Sequence, residues 1–159
     1  MAETRLPPWT PTQERVATVV THLMTTVNVW IYRLSGGRFG SKFLRGAPVC
    51  LVTTTGKKSG QPRTIALIYL QDGANVIFVA SKGGMSHHPA WYFNMLAKPE
   101  IQVQIGTEPV SMRVRQASSE EKAALWPRLC AIYPDYDDYQ ARTTRDIPVM
   151  IASPTANPH

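Results

Sequence analysis

Six short β-prone runs, each bounded by turn signals, leave this chain few folds to choose from. Residues 48–55 and 64–70 are rich in β-branched and apolar side chains, and they flank Gly56-Lys57-Lys58-Ser59-Gly60, which has the composition of a hairpin turn. Asp72-Gly73 marks a second reversal before the apolar run 76–80. Ile101, Val103 and Ile105 alternate with glutamines, and Val110, Met112 and Val114 alternate with Ser111, Arg113 and Arg115. Both patterns read as half-buried antiparallel strands. Residues 147–152 form the last run, where Pro148 suggests a sheet edge. Helical segments fall between these runs too irregularly for a doubly wound parallel sheet. The expected fold is α+β, mainly β: a mostly antiparallel barrel of about six strands with helices packed outside.

The first helix is marked at both ends. Thr10 reads as its N-cap, Pro11 as its first residue and Gln13 as the partner that reaches back to the cap. Val16, Val20, Leu23, Val27, Trp30 and Leu34 follow at helical spacing, and Ser35-Gly36-Gly37 supplies a stop. The run is polar at Thr18, Thr21, His22, Thr25, Thr26 and Asn28, and falls short of the ~20 apolar residues a bilayer span needs. Its apolar stripe packs on the domain or, alternatively, rests on a membrane surface. Residues 89–97 predict a short helix halted by Pro99, and Ser118 with Glu121 opens another that runs to about Ile132. A tyrosine-rich turn or short helix follows at 133–139. Together these make one domain over residues 11–152, with 11–35 its N-terminal helix and 1–10 and 153–159 mobile tails.

With 43% apolar and 18% charged residues in 159, the chain buries a core without staples. Cys50 and Cys130 each sit in an apolar run and read as free thiols, so a reducing cytoplasm is the expected compartment. Glu3, Arg5 and three early prolines do not fit a signal peptide. The net charge of +6 is concentrated: residues 42–98 hold seven Lys or Arg against one acid, Asp72, and the remainder is neutral. That bias calls for an anionic partner. No recognition-helix or base-stacking motif supports nucleic acid. No G-x-G-x-x-G opens a helix, the 56–60 turn lacks P-loop spacing, and His87-His88 has no carboxylate or thiol at ligand spacing.

What remains is a set of cations and glycines on adjacent turns. Lys58 and Arg63 flank the first hairpin turn, and Lys82 follows the third strand. If these strands pair, the three meet at one end of the barrel, where Arg offers a fork and Lys a point charge to phosphate or carboxylate. Backbone N–H groups of residues 81–84 can join them.

The stretch Leu51-Val52-Thr53-Thr54-Thr55-Gly56-Lys57-Lys58-Ser59-Gly60-Gln61-Pro62-Arg63 resembles the signature of the deazaflavin-dependent nitroreductase family. Ala80-Ser81-Lys82-Gly83-Gly84 and His88-Pro89-Ala90-Trp91-Tyr92-Phe93-Asn94 resemble its second motif. Residues 99–105 and 126–139 continue the likeness in order, so that it covers about residues 12–152. The resemblance implies a split β-barrel and coenzyme F-420, an 8-hydroxy-5-deazaflavin hydride carrier with a phosphate and a polyglutamate tail. It implies cofactor contacts at Lys58, Arg63, Val79, Ala80, Ser81, Lys82, Ala90, Trp91 and Asn94. It further implies catalytic roles for Ser81, Tyr133, Tyr136 and Tyr139 around the acceptor. Arg142 departs from the aromatic residue common at its position, and Ala90 from a methionine, so nitroimidazole reduction does not transfer.

The implied reaction delivers hydride to a quinone, nitroaromatic or α,β-unsaturated carbonyl compound, which leaves negative charge on oxygen. A serine or tyrosine hydroxyl can stabilise that charge or supply the proton. Two alternatives stay open at this level: an F-420-sequestering protein without turnover, and an FMN-dependent reductase on the same barrel. The small-molecule acceptor is the expected partner of a monomer or weak dimer.

Overall fold

The computed structural model describes residues 6–39 and 46–155. Lys42 and Arg45 of the basic stretch, and the outermost parts of both expected tails, lie outside the described residues. The elements run α1 (Pro11–Ser35), β1 (Val49–Thr55), β2 (Pro62–Ile68), β3 (Leu70–Asp72), β4 (Asn75–Val79), α2 (Ala90–Ala97), β5 (Glu100–Gln104), β6 (Pro109–Gln116), α3 (Ser119–Ile132), α4 (Asp135–Arg142) and β7 (Val149–Pro154). All strands join one antiparallel sheet in the order β2-β1-β5-β6-β7-β4-β3.

The sheet curls. Cys50 and Val52 of β1, Val76 and Phe78 of β4, Ile101 and Val103 of β5, Met112 and Val114 of β6, and Met150 and Ala152 of β7 meet in a single buried cluster. Side chains from five strands converge only if the sheet bends into a barrel around them. Tyr92 and Met95 of α2 enter the same cluster. The opposite faces of β4 and β7, through Ile77, Val79, Val149 and Ile151, pack against Leu125, Leu129, Tyr133 and Tyr136 from the α3–α4 region. Period-two alternation thus gives the sheet two buried sides, one inside the barrel and one beneath the helices.

Four readings of the sequence need correction. Seven strands form where about six were expected, because the run 64–70 is divided at Tyr69, whose N–H still donates to Pro48 O beside β1, into β2 and the start of β3. The last strand is interior, between β6 and β4, not an edge. Pro148 stands just before it, where it needs no ladder donor, and its carbonyl accepts from Ala80 N at 2.9 Å. Within the expected tails, Trp9 is tied to the loop after β4, while Ser153 and Pro154 extend β7.

The fourth correction concerns α1. Thr10 and Gln13 form the capping box, and Gly36 stops the helix in the left-handed conformation at φ 59°. The expected stripe, however, faces away from the domain. Val29 and Tyr32 dock instead, on Leu51 and Ala66. Tyr32 OH donates to Gln104 O and accepts from Gly106 N at 2.7 Å. That small footing leaves the stripe in solvent, with Leu23 66% and Trp30 64% exposed. No helix among the described residues is long and apolar enough to cross a membrane.

Candidate functional site

Four antiparallel steps separate β1 from β4 in the sheet, so the two strands run parallel and end at the same rim. The turn after β1 and the loop after β4 therefore share one edge of the barrel. Helix α2 joins them. Ala90, its first residue, lines an open cavity of about 500 Å³ with Lys82, Ser86, His87, His88 and Phe93. One turn later, Asn94 Oδ1 accepts from Lys57 N at 2.9 Å while its Nδ2 donates to Thr54 Oγ1 at 3.2 Å. A helical turn advances about 5.4 Å, so the Lys82 loop meets α2 at its first residue and the Lys57–Lys58 turn meets it one turn later. Lys58 and Arg63 are exposed and form no ion pair with a described residue.

The loop after β4 is the most constrained segment of this rim. Lys82, Gly83 and Gly84 all have positive φ (46°, 63° and 74°), a sequence that only glycine adopts without strain. A Cβ on Gly84 would stand 2.6 Å from Tyr139 O, so the loop rests directly on the backbone of α4. Arg145 holds the loop from beneath. It donates to Ala80 O (3.1 Å), Ser81 O (2.6 Å), Met85 O (2.9 Å) and His88 Nδ1 (2.9 Å). A guanidinium only donates, so Nδ1 of His88 accepts and its proton is on Nε2. Burial, and then the Arg145 charge, lower the pKa of His88.

In a trans peptide the carbonyl of one residue and the N–H of the next point in opposite directions. Drawing Ala80 O and Ser81 O toward Arg145 therefore turns the amides of Ser81 and Lys82 the other way. The amide of Ser86, opposite Met85 O, follows the same rule and donates to Glu14 Oε1 at 2.7 Å. Ser81 itself is half-buried, and its hydroxyl bonds to no described residue. Trp9 closes the outer side: its Nε1 donates to Gly83 O at 2.8 Å, and the Arg142 guanidinium stacks 4.7 Å from its ring centroid.

The three tyrosines form a triangle with ring centroids 5.1, 6.1 and 6.5 Å apart. Tyr133 and Tyr136 are buried, and burial raises both pKa values first of all. Tyr139 is half-buried and shares a 3.0 Å hydrogen bond with Tyr133 OH. Only Tyr139 thus combines exposure with a hydroxyl partner.

The residues singled out by sequence sit as follows. Ser81, Lys82, Ala90 and the tyrosine triangle gather around the loop, and Lys58, Arg63 and Asn94 stand across α2. Val79 turns its side chain toward the tyrosines, while Ala80 is fully buried with its N–H and its carbonyl both engaged. Trp91 packs against the barrel core. Both amide atoms of Asn94 are used within the chain, which makes it a brace between α2 and the first turn. Arg145, His88, Trp9 and Glu14 were not anticipated. Their only sequence signal is a polar residue beside a strand or helix end, and their partners lie 57 to 74 residues away.

A family model described as F-420H(2)-dependent quinone reductase matches residues 24–154. The F-420H(2)-dependent quinone reductase Rv1261c of Mycobacterium tuberculosis is 37% identical over 124 residues, 76% of this chain and 83% of the relative. A solved structure described as the F-420-H2 dependent reductase FDR-A is 40% identical, with a TM-score of 0.62 over 67% of this chain and 94% of its own. Another, described as a domain-swapped dimer, is 37% identical, with a TM-score of 0.64 over 80% and 96%.

Proposed function

The chain belongs to the F-420H(2)-dependent quinone reductase family, and from that premise we propose that it holds reduced coenzyme F-420 along the α2 rim and directs its hydride to a quinone beside Tyr139. The observation that carries the reading is the shared edge. A cationic turn, a loop with outward amides and a serine hydroxyl that bonds to no described residue stand on one rim, next to the tyrosines.

The residues present fit the coenzyme's chemistry. Lys58, Arg63 and Lys82 are cations that form no ion pair with a described carboxylate, suited to a phosphate and a polyglutamate tail. The outward amides of Ser81 and Lys82 offer neutral donors at the place where a ring would approach. The coenzyme supplies a hydride; the protein's task is to orient, to exclude water and to manage charge and proton. Ser81 Oγ donates to the acceptor oxygen as it gains charge. Tyr139 OH would supply the proton to the acceptor oxygen and regain one from solvent, while Tyr133 OH donates a hydrogen bond to the Tyr139 oxygen in between. Buried Tyr136 keeps the two rings in register rather than touching the acceptor.

The test is turnover with the reduced coenzyme and menadione, followed by return of the coenzyme's visible absorbance. Lys58→Ala and Arg63→Ala should each raise the KM for the coenzyme by about three- to tenfold, more for longer tails and less in high salt. Absence of turnover across quinones, nitroaromatics and enones, or losses independent of tail length, would refute the assignment.

A further inference from the structure

The outward stripe of α1 has a stricter order than amphipathicity requires. Val16, Val20, Leu23, Val27, Trp30 and Leu34 are separated by steps of 4, 3, 4, 3 and 4, a 3.5-residue repeat held over the whole helix. At 3.6 residues per turn they fall within an arc of roughly 80°. Val29 and Tyr32, the residues docked on the domain, lie on the opposite side. Val19, Met24 and Ile31 widen the stripe, and all nine side chains are between 44% and 79% exposed. No charged residue interrupts it from Val16 to Tyr32.

A helix gains most of its stability by burying such a face. The middle of α1, residues 19–24, is exposed on every side, so its own domain does not provide that burial. The 3.5-residue period is the spacing at which one helix meets another along a seam, rather than the broader face a helix lays on a sheet. A lipid surface is the weaker match, because interfacial helices carry Lys and Arg along the polar face, whereas α1 has none between Arg15 and Arg33.

We propose that the outward stripe of α1 is an interface between two copies of this chain, with the helices packed antiparallel about a twofold axis. The sequence fits that direction by size. Antiparallel alignment centred on Thr25 sets Val16 against the partner's Leu34, Val20 against the partner's Trp30, and Leu23 against the partner's Val27. Every contact then opposes a smaller with a larger side chain, which is how seams interdigitate without voids. A parallel pair would instead set Trp30 on Trp30 and Val16 on Val16. The helix dipoles also oppose favourably only in the antiparallel arrangement. The exposed apolar area is on the order of 1,000 Å², against about 800 Å² from each partner in a standard interface.

Sedimentation of the full chain without lipid or detergent tests the interface, and cysteine cross-linking tests its direction. The chain should be dimeric at micromolar concentration. Leu23→Glu/Val27→Glu should weaken the dimer by about two orders of magnitude, since it buries carboxylates in an apolar seam, with unchanged far-ultraviolet dichroism. Under mild oxidation Leu23→Cys/Val27→Cys should give a disulfide-linked dimer, whereas Leu23→Cys alone and the native chain should not. The proposal is overturned by a monomeric native chain, by a dimer indifferent to the glutamates, or by equal cross-linking of Leu23→Cys alone. It is equally overturned if the native chain is monomeric in buffer and floats with phosphatidylglycerol vesicles, which would make lipid the occupant.

Discussion

Arg145 Nη2 stands 2.6 Å from Ser81 O, so the residue expected to face the acceptor is held through its backbone by a guanidinium 64 positions further on. The side chain is half-buried and divides its donors among three carbonyls and an imidazole. Ser81's carbonyl is occupied, while its hydroxyl bonds to no described residue. Orientation of the rim thus rests on a residue that grips the loop through its backbone carbonyls.

Arg145→Ala should lower stability by about 2–3 kcal/mol, the scale of hydrogen bonds to a charged group. It should weaken coenzyme binding at least tenfold even where the protein stays folded. Arg145→Lys keeps the charge but lacks the planar fork, so it should recover melting temperature more than affinity. Thermal melts paired with a coenzyme titration check both variants; native affinity in folded Arg145→Ala would refute the positioning role.

Gly84 couples that loop to the tyrosines. In Gly84→Ala the new methyl would meet Tyr139 O at 2.6 Å, and the positive φ costs a further 1–2 kcal/mol or so. Relief requires the loop and α4 to part. The expected outcome is a fall in kcat with quinone that exceeds the change in coenzyme KM. Steady-state kinetics with either substrate varied separates the two effects, and equal losses in both would argue against the coupling.

What was legible in the sequence is what local chemistry determines. The Thr10–Gln13 and Ser118–Glu121 boxes join neighbours in the chain, and both form as read. Alternation identified β5 and β6 because Ile101, Val103, Met112 and Val114 share a buried face, although Ile105 falls beyond β5 and Val110 is exposed. The rim cations were legible as a charge bias, though the shared edge of the turns that carry them depends on an even number of antiparallel steps between β1 and β4. The rest was hidden for the same reason in each case. Spacing on α1 specifies a stripe but not the direction it faces, and Pro148 limits pairing only within a strand, not just before one. Arg145 and His88 acquire their roles from partners that no local pattern names.

Asn94 separates bracing from charge. Asn94→Ala removes the bonds to Lys57 N and Thr54 Oγ1, and should cost about 1–2 kcal/mol in stability while loosening the first turn. Asn94→Asp still accepts from Lys57 N, so its stability should stay closer to native. Its carboxylate, however, would add a negative charge at the Lys57–Lys58 turn, where the proposed polyanionic tail would bind. Coenzyme affinity should therefore fall in both variants, but for Asn94→Asp the loss should steepen with tail length and shrink in salt. Titrations with short- and long-tailed coenzyme at two ionic strengths check this pattern.

His88 gives the loop a defined acid limit. Its pKa is lowered in the folded chain by burial and by Arg145, so between its folded value and the ordinary value of about 6.5 the unfolded chain binds the extra proton. Stability from this group is complete above about 6.5 and is lost as pH falls through the folded value. Protonation also abolishes the acceptor at Nδ1 and sets a second cation against Arg145, with Lys82 on the same cavity and Glu14 the nearby carboxylate that offsets them. Coenzyme affinity should accordingly drop on the acid side of 6.5 together with melting temperature. His88→Asn can still offer an oxygen to Arg145 and does not titrate there, so it should flatten the acid limb of both profiles. An identical acid limb in the variant would assign the loss to another group.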